Sequence, residues 1–212
     1  MEQEQLTPYE YYSSQVEDEM YKFEGYLKEV NESLDKKHFE SKSFMFLTGR
    51  TDLLDNVFVD MRFNSFKTLF HQSTFISCYS VFEVMFKRLC RLVEEQEKCR
   101  FSINDMGGKD IISNCKTYIE KAANVKLVDS KIKWDEMISY KKYRDTLTHH
   151  NVFEVTSKTD KSLVKFLEKK NGITKKDDLL YISGDAFVTD FVLAFALYLT
   201  NIAHIIDMEK RV

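Results

Sequence analysis

Proline occurs once in 212 residues, at Pro8, and glycine only six times. That scarcity argues against a β-sandwich, a barrel or a low-complexity array, all of which need frequent turn residues. Neither sign of charge is in excess: 31 Lys and Arg against 34 Asp and Glu leave a formal −3 and an isoelectric point near 6.0. Bulk electrostatic attraction to nucleic acid is therefore weak, and phosphate binding would need a local basic patch. The four cysteines, Cys78, Cys90, Cys99 and Cys115, show no CxxC or Cys/His zinc spacing. With no N-terminal signal sequence in front of them, they fit reduced thiols of a cytoplasmic protein. Long apolar runs are missing as well. The greasiest region, Phe187 to Ile206, is interrupted by Asp190, Asn201 and His204, which argues against a membrane span or membrane partner. Glycine-rich phosphate loops, GxSxG and HExxH are absent, so no cofactor and no metal are expected.

What is present is hydrophobic and aromatic: 43% apolar residues, with 17 Phe and 11 Tyr. This is enough for one sizeable core and fills seams between helices well. The expected fold is mostly α, a helical bundle of about five to seven helices, with a small β-hairpin in residues 153–183. We read 1–212 as a single domain, with an acidic N-terminal helix over 8–36 and a core over about 65–207.

Thr7-Pro8-Tyr9-Glu10 has the form of a capping box with proline at the first helical position. Val16, Met20, Phe23, Leu27, Val30 and Leu34 then recur by fours and threes as one apolar stripe. Residues 2–40 carry 11 Asp/Glu against 4 Lys, a pattern that suits a solvated outer face. A short helix is expected around Asp52 to Met61. A second strong stripe, Phe75, Tyr79, Phe82, Phe86, Leu89 and Val93, marks a central helix from about Ser65 to Glu97. Gly107-Gly108 breaks the chain before a short helix from Asp110 to Ala123. Asp129-Ser130 can cap a helix from Lys131 to about Leu147 or Thr148. Leu163 to Leu167, then Lys170-Asn171-Gly172, then Leu179 to Ile182 reads as the hairpin with a long loop. Asp185 opens a last helix whose stripe is Phe187, Phe191, Ala194, Tyr198, Asn201 or Ile202, and Ile205.

Met137, Tyr140, Arg144 and Leu147 share one face of the helix that starts at Lys131, so a guanidinium interrupts an apolar stripe and needs a partner or a task. Five residues later stands His149, followed by His150 and Asn151. Imidazole moves protons near neutral pH and guanidinium holds phosphate and its developing charge, so these are the residue types that RNA cleavage without a metal requires. Plainer readings coexist with this one. The histidines can be helix-terminal residues satisfied by carbonyls, and Arg144 can be a structural partner of Glu83 or Asp145. From Lys158 to Asp178, 7 Lys stand against 4 Asp/Glu, a surplus that suits either an exposed loop or an RNA-facing surface.

The order of parts, a long helix, an aromatic-rich helix containing Ser80-Val81-Phe82-Glu83, a helix ending in Arg144-Asp145-x-x-x-His149 and a closing amphipathic helix, resembles the HEPN superfamily over roughly Ser65 to Asp207. The resemblance implies a helical homodimer in which two Arg/His motifs face each other, and a metal-independent endoribonuclease acting as a toxin or in phage defence or stress. RNA would be the substrate, with an antitoxin or defence-system protein as a further partner. Arg144 and His149 match the catalytic pair, and Asp145 stands where asparagine is commonest. Glu83 matches an acidic residue of the preceding helix. His150 and Asn151 would support the pair, and Lys141, Lys142, Lys158 and Lys161 are the candidates for RNA contact. The alternative is a HEPN-type module without catalysis that binds a partner protein or nucleic acid. On an ideal helix, residues five apart lie about 140° apart. Convergence of Arg144 and His149 thus requires either that the helix ends near Thr148 and the chain turns back, or that a second copy supplies the missing half.

Overall fold

The computed structural model describes residues 6–48, 53–108, 110–127, 133–150 and 152–210, and of Leu53 only the backbone. Among them the fold is mostly helical, with six α-helices and a small three-stranded antiparallel sheet. The helices are α1 (Pro8–Leu47), α2 (Leu53–Gln96), α3 (Ile111–Ala122), α4 (Trp134–His150), α5 (Lys161–Glu168) and α6 (Ala186–Lys210). The strands are β1 (Phe153–Glu154), β2 (Ile173–Lys176) and β3 (Leu179–Ile182), in the order β1-β3-β2.

The chain forms two compact units, one of Met1–Tyr21, Cys78–Ile138 and Val192–Val212, the other of Lys22–Ser77 and Ser139–Phe191. In the first unit, α1 starts on the capping box: the Thr7 amide donates to Glu10 Oε2 at 2.8 Å and the Glu10 amide to Thr7 Oγ1 at 3.1 Å. Phe82 and Phe86 of α2 pack on Phe195 and Tyr198 of α6 at ring distances of 6.1 and 5.9 Å. The buried Tyr12 hydroxyl donates to the Met85 carbonyl at 2.9 Å, which lets a large ring enter the core without an unpaired polar end. Asp110 caps α3, whose Ile112, Cys115, Tyr118 and Ile119 are buried. Ser102 and Asp105 form a second capping box on a 3-10 turn at Ile103–Asp105, a feature not expected from sequence.

In the second unit, α1 and α2 pair as an antiparallel hairpin. Tyr26 meets Phe70 (5.7 Å), His71 Nε2 lies 3.1 Å from Asn31 Oδ1, Lys67 pairs with Asp35, and His38 both stacks on Phe63 (4.7 Å) and reaches Asp60 (2.7 Å). The second core is an aromatic cluster in which Phe75 contacts Tyr140, Tyr143, Phe187 and Phe191 at 5.1–6.3 Å. Each such ring contributes about 1.5–3 kcal/mol on burial, so this cluster rather than the two-residue strand β1 anchors α4.

Three expectations are corrected. α1 continues to Leu47 instead of ending near residue 36, and α2 is one helix of 44 residues instead of a short helix followed by a central one. No proline or glycine falls within residues 37–47 or 53–96, and polar residues such as Ser65, whose hydroxyl donates back to the Met61 carbonyl at 2.8 Å, ride on the helix instead of breaking it. Leu163 to Leu167 is helical as part of α5, not the first arm of a hairpin. Asp160 caps it, and Leu163 and Leu167 face inward at the i, i+4 spacing of a helix. The hairpin is β2–β3, with Ile173 opposite Ile182 and Asp177 at φ 54° in its two-residue turn. The Asp129-Ser130 cap lies outside the described residues.

A candidate basic and histidine site at the end of the fourth helix

The last turns of α4 carry the motif. Tyr140, Tyr143 and Leu147 point into the core with at most 2% exposure, so the helix face beside the motif is rigidly held. Arg144 lies at the edge of that face with 22% of its side chain exposed, and its Nη1 is 3.2 Å from Asp145 Oδ1. Asp145 Oδ2 also forms an ion pair with Lys141 Nζ at 3.4 Å, one turn earlier. The result is a Lys141–Asp145–Arg144 string along the surface of one helix. An exposed i, i+4 pair contributes only about 0.3–0.5 kcal/mol, so its effect on Arg144 is orientation more than stability.

His149 and His150 are both exposed in the last turn, with ring centroids 6.5 Å apart. The helix runs on through His150, with the Thr148 hydroxyl donating to the Arg144 carbonyl at 2.9 Å. A helix end near Thr148 that would fold the imidazole back toward Arg144 is thereby excluded, leaving the two side chains about 140° apart on one helix. Phe153, buried against Tyr143 at 5.7 Å and paired with Leu180, fixes the chain soon afterwards. Asn151 lies outside the described residues.

Lys142, a candidate for RNA contact, donates to Asp160 Oδ2 at 2.6 Å. Asp160 also accepts from the Ser162 hydroxyl and amide, and these donors, with Lys142 first, hold its carboxyl well below the usual range. Lys158 and Lys161 are exposed. Of the lysine-rich stretch, Lys161 and Lys165 lie on α5 and Lys175 and Lys176 on β2, while Lys158, Lys169 and Lys170 lie in the turns beside them. Glu83 belongs to the first unit. Met137, Tyr140 and Leu147 of the stripe that carries Arg144 are buried within the chain itself.

Features outside the motif were not signalled by sequence. In the first unit a groove of about 830 Å³ is lined by residues including Tyr9, Glu10, Glu17, His204 and Asp207. Burial, then Glu97 and Asp207, push the Tyr9 phenol up. In the second unit His71 is buried, and desolvation lowers its pKa. The helix α6 has the length and hydropathy of a membrane span, and 61% of its apolar window is buried inside the protein. Among the described residues no group of three His, Cys, Asp or Glu side chains is placed to hold a metal ion.

No family model matches the chain, and neither a curated protein nor a solved structure shows significant similarity to it.

Proposed function

We propose that the protein is a metal-independent endoribonuclease of HEPN type, acting as a cytoplasmic toxin or as a phage-defence or stress effector, with its active site built from two copies of the chain. The observation that supports this reading is the end of α4, where a guanidinium oriented by Asp145 and an exposed histidine five residues on share one rigid helix. Because one helix presents them about 140° apart, Arg144 of one copy would work with His149 of the other.

The reaction is transesterification within RNA. His149 takes the proton of a ribose 2′-OH as the 2′-oxygen bonds to the adjacent phosphorus, and the P–O5′ bond breaks. The imidazolium so formed then returns a proton to the departing 5′-oxygen. Arg144 carries the charge that develops on the phosphoryl oxygens, Asp145 orients Arg144, and Lys158 and Lys161 lie open to the RNA backbone. The products are a 2′,3′-cyclic phosphate and a 5′-hydroxyl.

The second reading, a non-catalytic module for a partner such as an antitoxin protein, gains from one observation: Lys141 and Lys142 are engaged by Asp145 and Asp160 instead of facing outward. Incubation of total RNA with the protein in excess EDTA, followed by end-group analysis, separates the two. Cyclic-phosphate ends that disappear with His149→Ala are expected. Intact RNA, or cleavage that needs added metal, overturns the catalytic reading.

A further inference from the structure

The α1–α2 hairpin of the second unit exposes an unusual amount of apolar surface. Phe39, Phe44, Phe46 and Leu47 near the end of α1 and Phe58 and Met61 near the start of α2 are 61–81% exposed. Aromatic side chains of this size offer roughly 100–130 Å² apiece at such exposure. The six together present roughly 700 Å², more than a soluble monomer usually leaves open and close to the ~800 Å² that each partner contributes to a stable interface. Between the two helices runs a groove of about 730 Å³ lined by residues including Leu34, Phe44, Met45, Phe63 and Phe66, room for side chains from a facing surface.

We propose that this hairpin is the surface through which two copies of the chain pair, α1 of one against α2 of the other. The charges fit that arrangement. Residues 36–47 of α1 carry Lys36, Lys37 and Lys42 against Glu40, while residues 53–61 of α2 carry Asp55 and Asp60 and no cation. Within one chain Lys42 already meets Asp60 at 2.7 Å. A two-fold arrangement sets Lys36 and Lys37 of each copy toward Asp55 of the other, which is the self-complementarity an isologous interface needs. The same interleaved charges oppose insertion into a bilayer, where each would be costly. The exposed apolar run continues along α2 to Leu69, six residues and about 9 Å before Phe75, the residue on which Tyr140 and Tyr143 of α4 pack. Pairing here therefore joins copies on the unit that carries Arg144 and His149. The inference rests on the exposed hairpin and not on those residues being catalytic.

Light scattering and sedimentation of the full chain at tens of micromolar test it. The wild type is expected at twice the monomer mass, Phe44→Glu/Phe58→Glu at the monomer mass with unchanged helical circular dichroism, and Val84→Glu, on an exposed position of the first unit, still dimeric. Phe44→Ala/Phe58→Ala, which keeps helix propensity, should weaken self-association at least tenfold. A monomeric wild type, including one that instead floats with lipid vesicles, overturns the proposal, as does a double glutamate variant that remains a folded dimer. A dimer that depends on the hairpin yet leaves RNA intact overturns only the catalytic reading.

Discussion

Arg144 and His149 sit on one helix but not on one face, and their individual contributions are separable by substitution. Arg144→Ala and His149→Ala should each lower RNA cleavage by about 100- to 10,000-fold, the range for loss of an acid/base group or its charge partner. Helical content should hold, because neither side chain lies in the core. His150→Ala should cost far less, since one residue rotates the side chain about 100° around the helix. Cleavage rates beside thermal unfolding curves check this. A large drop in the unfolding midpoint of Arg144→Ala would assign the residue to structure.

His71 supplies a pH dependence at the same scale. Its Nε2 faces Asn31 Oδ1 at 3.1 Å, and its buried Nδ1 has no hydrogen-bond partner among the described residues. Protonation would bury a charge there. Desolvation lowers the pKa, Asp185 opposes that shift and Lys67 adds to it. A depressed histidine pKa stabilises the fold above the unfolded value near 6.5 and loses that contribution as pH falls through the folded value. The unfolding midpoint should therefore drop between pH 7.5 and 5 in the wild type, and drop less in His71→Gln, as measured by circular dichroism melts.

Among the elements, the β2–β3 hairpin depends on Gly172. Its φ is +76°, and a Cβ there would stand 2.7 Å from the Phe187 amide nitrogen and 3.1 Å from the Gly184 carbonyl oxygen. The Gly172 carbonyl also receives the Ser183 amide at 2.8 Å. Gly172→Ala should cost more than the ~1–2 kcal/mol of a left-handed residue, because backbone atoms on both sides must also move. Chemical denaturation would show the shift. Leu163 to Leu167 teaches a related lesson. Its run of apolar residues was open to a strand reading, but Asp160 as N-cap and the Leu163, Phe166, Leu167 spacing carry the helical signal. A correct period count, rather than more information, would have found α5.

For the whole molecule, a composite active site makes a prediction that no single-chain site shares. Equal amounts of Arg144→Ala and His149→Ala protein, each inactive alone, should regain activity when mixed and allowed to exchange subunits, approaching about a quarter of the wild-type sites. Activity that stays absent after mixing, with exchange confirmed by mass, would sink the shared-site arrangement.

Local chemistry in the sequence by itself determined the helical class, the Thr7–Glu10 capping box, the buried stripes of α2 and α6 and the position of Arg144 beside an apolar face. Each of these depends on residues within a few turns of one another, where spacing and propensity decide. The tertiary structure alone decided what those residues meet. That Lys142 is held by Asp160 eighteen residues away, that Met137, Tyr140 and Leu147 are covered within their own chain, and that Phe44 and Phe58 are left uncovered at the hairpin are outcomes of packing between distant segments. The physical reason is that periodicity shows which face of a helix is apolar but not whether anything in the same chain covers it. On α4 the core covers that face, whereas near the end of α1 and the start of α2 the apolar side chains outnumber the partners available to cover them.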